Sequence, residues 1–261
     1  MTSLAVEWAT MTVPEFVGWT RLAEVSLPFP LNTGALAYTA VPERYELDRA
    51  LAEHKLLDSP VLAAVRETFA APRLSVYAVR VLPDGTESKY VAMAGHGEQA
   101  VVVLLESTQV AVREIADTEL AASVVAALPV LPALHVPSVE ISLRELVEID
   151  AAIEAGASAR TLSAQMGQAG LPPSLIALRQ RSSAGMATGG ALGAVGHDQD
   201  GTGRHSRRSA SWREFADGAL LQIERGERQG ETRILLSPYT PDAVFRAAVD
   251  AIASLYETGQ V

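Results

Sequence analysis

RLSVYAVRVLPDGTESKYVAMAGHGEQAVVVLLESTQVAVREI, running from Arg73 to Ile115, decides the fold. It holds four runs rich in β-branched residues: Arg73 to Leu82, Ser88 to Ala94, Gln99 to Glu106 and Gln109 to Ile115. Asp84-Gly85, Gly95-His96-Gly97 and Glu106-Ser107-Thr108 separate them, spacings that suit hairpins and predict a four-strand antiparallel meander. Just upstream, Asp58-Ser59-Pro60 starts a helix whose inner face is Val61, Leu62, Val65 and Phe69. Further upstream come a helix near Glu43 to Lys55 and another capped by Thr12, with Pro14 in its first turn and Phe16, Trp19, Leu22 and Ala23 at helical spacing. Leu4 to Ala9 reads as a short strand. Downstream, Asp117 caps a closing helix with Leu120, Val124 and Leu128 on one face.

The chain then runs through a similar list again. After a Pro-marked connector, Pro129 to Pro137, Ser138 to Ser142 reads as a short strand. Helices follow over Leu143 to Ala155 and Ser158 to Gln168, and a further one opens at Pro172-Pro173 with Leu175, Ile176 and Leu178. Strands are predicted over Gly185 to Val195, Ser209 to Phe215, Ala219 to Glu224 and Glu231 to Ser237. Thr240-Pro241-Asp242 starts a last helix, with Val244, Phe245, Ala248, Val249, Ile252 and Leu255 as its apolar stripe. Both halves share the order short strand, helices, four-strand meander, closing helix. The expected fold is therefore α+β: a pseudo-two-fold repeat, half-repeats 1–129 and 138–261, built around a central, mainly antiparallel sheet in one compact unit.

Composition narrows what such a fold can do. Of 261 residues 48% are hydrophobic, enough for a full core. Thirty-one acidic residues against 21 Lys and Arg give a net charge of −10, which repels nucleic acid and anionic lipid. The one basic cluster, Arg204, His205, Arg207 and Arg208, contains no aromatic residue and reads as a solvated loop. Cysteine is absent, which removes thiol nucleophiles and thiolate metal sites and fits a reducing cytoplasm. The N-terminus lacks a signal-peptide pattern and no apolar run approaches membrane-spanning length, so no membrane insertion is expected.

Chemistry-bearing patterns are weak. Gly189 to Gly196 resembles a dinucleotide-binding turn, but no buried strand precedes it and His197-Asp198-Gln199-Asp200-Gly201 follows as a turn. A glycine-rich strand approached closely by another backbone or a partner is the better reading. His197, Asp198, Asp200 and His205 hold metal-ligating groups, yet sit among glycines in the polar stretch His197 to Ser209, which is expected to be a mobile hairpin loop with almost no apolar anchor. No nucleophile elbow, P-loop or zinc-protease motif is present, so neither catalytic residues nor a cofactor is expected.

Several segments together resemble the EspG family. They are Leu27-Pro28-Phe29-Pro30-Leu31, the stretch Leu51 to Leu62, Ala71-Pro72 before the first meander, the connector Ala127 to Ala133, and Leu236-Ser237-Pro238-Tyr239-Thr240-Pro241 before the last helix. The resemblance implies a cytoplasmic actinobacterial chaperone of type VII (ESX) secretion, in which helical bundles flank the sheet. It also implies a partner, a PE–PPE heterodimer bound through the tip of the PPE helical bundle and escorted to the secretion machinery. For that helical tip the sequence offers Leu171, Ile176, Leu192, Val195 and Trp212, apolar residues whose Gly, Pro and polar neighbours suggest partial exposure. The competing readings are an enzyme using Gly189 to Gly196 and a homodimeric adaptor that pairs through its sheet edges.

Overall fold

The computed structural model describes residues 8–32, 59–97, 99–176, 188–198, 202–228 and 230–257. The helix expected near Glu43 to Lys55 lies outside these residues. The first meander comprises β2 (Pro72–Val81), β3 (Glu87–Gly95), β4 (Ala100–Glu106) and β5 (Gln109–Ile115), each antiparallel to the next. A short strand β1 (Ala9–Thr12) adds to β5. It lies later than the strand read over Leu4 to Ala9, because Thr10 to Thr12 complete the ladder before the helix cap.

The second meander comprises β7 (Gly189–His197), β9 (Ala210–Phe215), β10 (Gly218–Arg228) and β11 (Glu231–Pro238), with the short strand β6 (Val139–Ser142) on β11. All join one sheet in the order β1-β5-β4-β3-β2-β7-β9-β10-β11-β6. Read outward from the β2–β7 pair, both sides follow one sequence: three more meander strands, then the short strand.

Helices cover the sheet in three zones. On one face lie the two closing helices, α3 (Leu120–Ala127) and α6 (Pro241–Glu257), over the large central core. On the other face α1 (Val13–Leu22) and α2 (Pro60–Ala70) cover the first-half strands. There α4 (Leu143–Glu154) and α5 (Ala159–Gln168) cover the second-half strands. In α6 the buried face is Ala243, Val244, Ala247, Ala248, Ala251 and Leu255, while Phe245 and Val249 of the expected stripe stay more than 40% exposed. Alanines predominate on the buried face, where α6 packs against the Gly- and Ala-rich β7.

Local signals fix the helix ends. Thr12 with Glu15, and Ser142 with Glu145, form reciprocal capping boxes at the start of α1 and α4, each one residue past a four-residue strand. Schellman closures end both α4 and α5: Gly156 and Gly170 take positive φ, and Ala157 and Leu171 donate back to the Ala152 and Met166 carbonyls. In α1 the same turn is made with Glu24 in the left-handed region.

The halves meet along eight β2–β7 pairs, from Leu74↔Gly196 to Val81↔Gly189. Glycine is required here. A Cβ on Gly190 would strike the Trp212 ring and the Val79 carbonyl, and one on Gly193 would meet the Tyr77 hydroxyl at 2.7 Å. Beside Gly190, Arg80 of β2 forks onto Glu214 of β9, Nε to Oε1 and Nη2 to Oε2, both at 2.7 Å, and Trp212 Nε1 donates to the same carboxylate at 3.1 Å. Burial alone would push the Glu214 carboxyl up, but these donors outweigh it and hold the group below its ordinary value.

Two predictions follow from the seam. Gly190→Ala should destabilise the chain by about 1–3 kcal/mol or more in urea titration. The exposed helical Gly167, where a Cβ meets nothing within 4 Å, should instead gain about 0.5–1 kcal/mol on change to Ala. A Gly190→Ala chain as stable as wild type would mean that Trp212 and β2 yield freely. The second prediction concerns pH. With the folded-state Glu214 pKa depressed, the fork contributes stability above the ordinary glutamate value of about 4.5 and loses it as pH falls through the lower folded value. Glu214→Gln should cost about 3 kcal/mol at neutral pH and flatten the acid limb of the stability–pH curve. An acid limb unchanged by the substitution would assign it to other carboxylates.

Candidate partner-binding surface

In the second half, α4 and α5, joined by a short turn, pack together on the sheet face opposite α6. Leu146 and Ile149 of α4 and Leu162 and Met166 of α5 point inward, each helix using an i, i+3 or i, i+4 pair against Ile234, Leu236 and Leu220. The outer face of α4 is unusual: Leu143 is 40% and Val147 57% exposed, one turn apart. Ion pairs frame them, Arg144–Glu231 at 3.5 Å, Arg233–Glu140 at 3.1 Å and Arg213–Asp150 at 3.6 Å. Ser142 donates from its hydroxyl and its backbone N–H to Glu145, whose carboxyl is lowered chiefly by that side-chain hydrogen bond. The apolar pair thus sits on a helix whose start is firmly set.

Between this helix pair and the first-half helices, β2, β7 and β9 turn the Val79–Ala191–Ser211 row to the same face. Ala191 is exposed and its neighbours half-buried among the described residues. Two residues along β2 from Val79, Tyr77 meets a strap formed by Leu27 to Leu31. Leu31 is fully buried in the first-half core, and Lys89 Nζ donates to the Pro30 carbonyl at 3.0 Å. Phe29 meets Tyr77 and His205 edge-on, at centroid distances of 4.9 and 5.0 Å. Burial pushes the Lys89 ammonium pKa down, with Glu87 opposing.

Four of the five residues read from sequence as contact points are interior. Leu171 lies in the core under α4 and α5, Leu192 and Trp212 in the core under α6, and Val195, 2% exposed, pairs with His205 of the strand β8 (Gly203–His205). Ile176 is half-buried against the α4/α5 core. The expectation of exposure fails because Leu171, Leu192 and Trp212 are covered by helices and strands distant from them in sequence. Leu143 and Val147 were missed, although Leu143 to Ala155 reads plainly as a helix. The signal was a second apolar pair beyond what one buried stripe needs.

The expected loose loop is also corrected. Residues 203–205 form β8 on β7, the Ser206 hydroxyl accepts from Ala194 N–H, and Arg208 pairs with Glu257 at 2.8 Å. His205 carries the aromatic anchor that composition hid. His197 shares a hydrogen bond of 3.3 Å with Ser75, and no group of three or more metal-ligating side chains exists among the described residues. Asp200 lies outside them. Gly189 to Gly196 is held inside the sheet, between β2 and β9 up to Leu192 and between β2 and β8 from Val195, so its backbone is engaged in ladders and is not a phosphate cradle.

A sequence model of the EspG family matches residues 16–250, nearly the whole chain. The chain belongs to the EspG family. Among curated proteins no relative matches its sequence. Its fold is that of a solved structure, the Mycobacterium tuberculosis type VII secretion system chaperone EspG5 in complex with a PE25–PPE41 dimer, with a TM-score of 0.73. The two share 15% identity, over 95% of this chain and 96% of that one. In this EspG chain, no described helix is long and apolar enough to cross a membrane.

His205→Ala should loosen the strap by removing two edge-to-face contacts, a loss of about 1–2 kcal/mol in denaturant titration. An unchanged midpoint would show that Leu31 and Lys89 hold the strap alone.

Proposed function

We propose that this EspG chain is a cytoplasmic, non-enzymatic chaperone that binds the helical tip of a PPE-like type VII secretion substrate, keeps the PE–PPE pair soluble and escorts it to the secretion machinery. One observation carries the reading: the fold of a chaperone solved with a PE–PPE dimer extends over essentially the whole of both chains. Family membership supports it. We further infer that residues 1–129 and 138–261 are two half-repeats of one compact unit, supported by the strand order on either side of the β2–β7 seam.

The substrate tip is placed on the second half, across Leu143 and Val147 of α4 and the row through Ala191. A helical tip needs a few apolar anchors within a polar frame, and this surface supplies both. Of the residues read from sequence, Leu171 lies in the core beneath α4 and α5 and Ile176 packs against it, whereas Leu192 and Trp212 belong to the opposite face of the sheet. The edge-pairing homodimer has little to work with, since β1 and β6, which end the sheet among the described residues, are four residues each.

Coexpression with the PE–PPE pair encoded beside this chain should yield a ternary complex that copurifies. Val147→Asp, alone or with Leu143→Asp, should weaken capture about tenfold or more while far-UV circular dichroism stays unchanged. Failure of the wild type to copurify the pair would sink the chaperone reading. Full capture by the double variant would sink only the placement on α4.

A further inference from the structure

We propose that the groove between α6 and strands β10 and β11 binds a small amphipathic monoanion, an organic carboxylate carried on an apolar body. The groove measures about 540 Å³, within the range of small-molecule sites, and lies on the sheet face opposite α4 and α5. Its floor is the cross-strand pair Ile223↔Leu235, and Ala243 and Ala247, one turn apart on α6, form the facing wall. Those side chains would receive an alkyl or aryl body.

Two guanidiniums rim the groove. Arg225 arrives through a β-bulge: the β10–β11 register shifts between Glu224 and Glu227, and Gly226 takes φ 82°. Bulges of this kind re-aim a side chain out of the regular alternation. Asp250 of α6 anchors one arm, accepting from Arg225 Nη1 at 3.2 Å, which leaves the rest of the fork for another acceptor. Arg246, one turn earlier on α6, lines the groove from the other side and forms no ion pair among the described residues. Ser237 completes the wall. It is only 7% exposed, and its hydroxyl has no hydrogen-bond partner among the described residues, a costly state that an acceptor in the groove relieves once the hydroxyl rotates toward it.

Charge selects the class of ligand. Arg225, Arg246 and Asp250 sum to a single positive charge, which a carboxylate neutralises. A phosphate dianion would leave excess negative charge against Asp250. The planar fork of a guanidinium also matches a carboxylate in bidentate geometry.

The test titrates the ¹⁵N-labelled full chain with octanoate, with octanol as the uncharged body and inorganic phosphate as the charge without a body. Saturable shifts are expected at the Ala243, Ala247 and Ser237 amides with octanoate alone. Arg246→Ala should weaken them at least tenfold at an unchanged thermal midpoint, with Arg246→Gln as the second variant should the midpoint move. Absence of saturable shifts at these amides overturns the proposal. So does octanol or phosphate binding as tightly as octanoate, or octanoate affinity that survives loss of the Arg246 charge.

Discussion

Everything in this fold hangs on the β2–β7 seam, where two meanders become one sheet. Eight backbone pairs cross it, but hydrogen bonds alone do not explain why these two strands meet and not two others. The explanation is steric. Gly190 and Gly193 leave the β7 surface bare, and Trp212 and Tyr77 fill that space on opposite faces of the sheet. Large rings from neighbouring strands occupy the space over each glycine, so the seam is sealed by side chains that belong to its neighbours. A Cβ at either glycine removes the berth.

Closeness at the seam then propagates outward. Because β7 is lined with Gly and Ala, α6 settles onto it through alanines, and its larger residues Phe245 and Val249 are turned to the outside. On the same face a groove lined by Arg225 and Arg246 runs between α6 and the outer strands β10 and β11. At the end of the seam the Arg80–Glu214 fork ties β2 to β9 across β7, with both side chains largely withdrawn from water. Half of this interaction would be a liability, since a lone partly buried charge costs more than the pair returns. Its value lies in register: a β7 slipped by one residue would separate Arg80 from Glu214 and bring Gly190 out from under Trp212.

Much of this was legible in the sequence, and what was legible was local. Turn residues and β-branched runs located both meanders, because hairpin chemistry depends on adjacent residues. Thr12 and Pro241 marked their helix starts for the same reason. Burial of apolar residues in the glycine-rich and polar segments was not legible. Trp212 and Leu192 stand among small and polar neighbours and read as exposed, yet their cover comes from strands and helices far along the chain. His205 reads as part of a solvated basic cluster until Phe29, some 176 positions earlier, is seen against its ring. Strand β8 has no sequence signature because its three residues are all exposed and its pairing depends wholly on β7. The two apolar pairs of α4 were both visible, but periodicity cannot say which one the sheet will claim.

The same contrast between long-range and local support separates the closing helix from the candidate docking surface. Seven residues of the seventeen in α6 are buried, whereas α4 and α5 bury two each. Their ends are nonetheless fixed, by capping boxes or hydroxyl caps at the start and Schellman turns at the close. Such helices keep their shape while contributing little to the core, so their geometry owes more to capping than to packing. A partner that lays an apolar tip over Leu143 and Val147 adds burial to elements that have little of their own, and the gain is largest where the free chain has least. A well-packed helix such as α6 has no comparable gain to offer. The sheet is thus unevenly covered, with the closely packed α6 on one face and the sparsely buried α4 and α5 on the other.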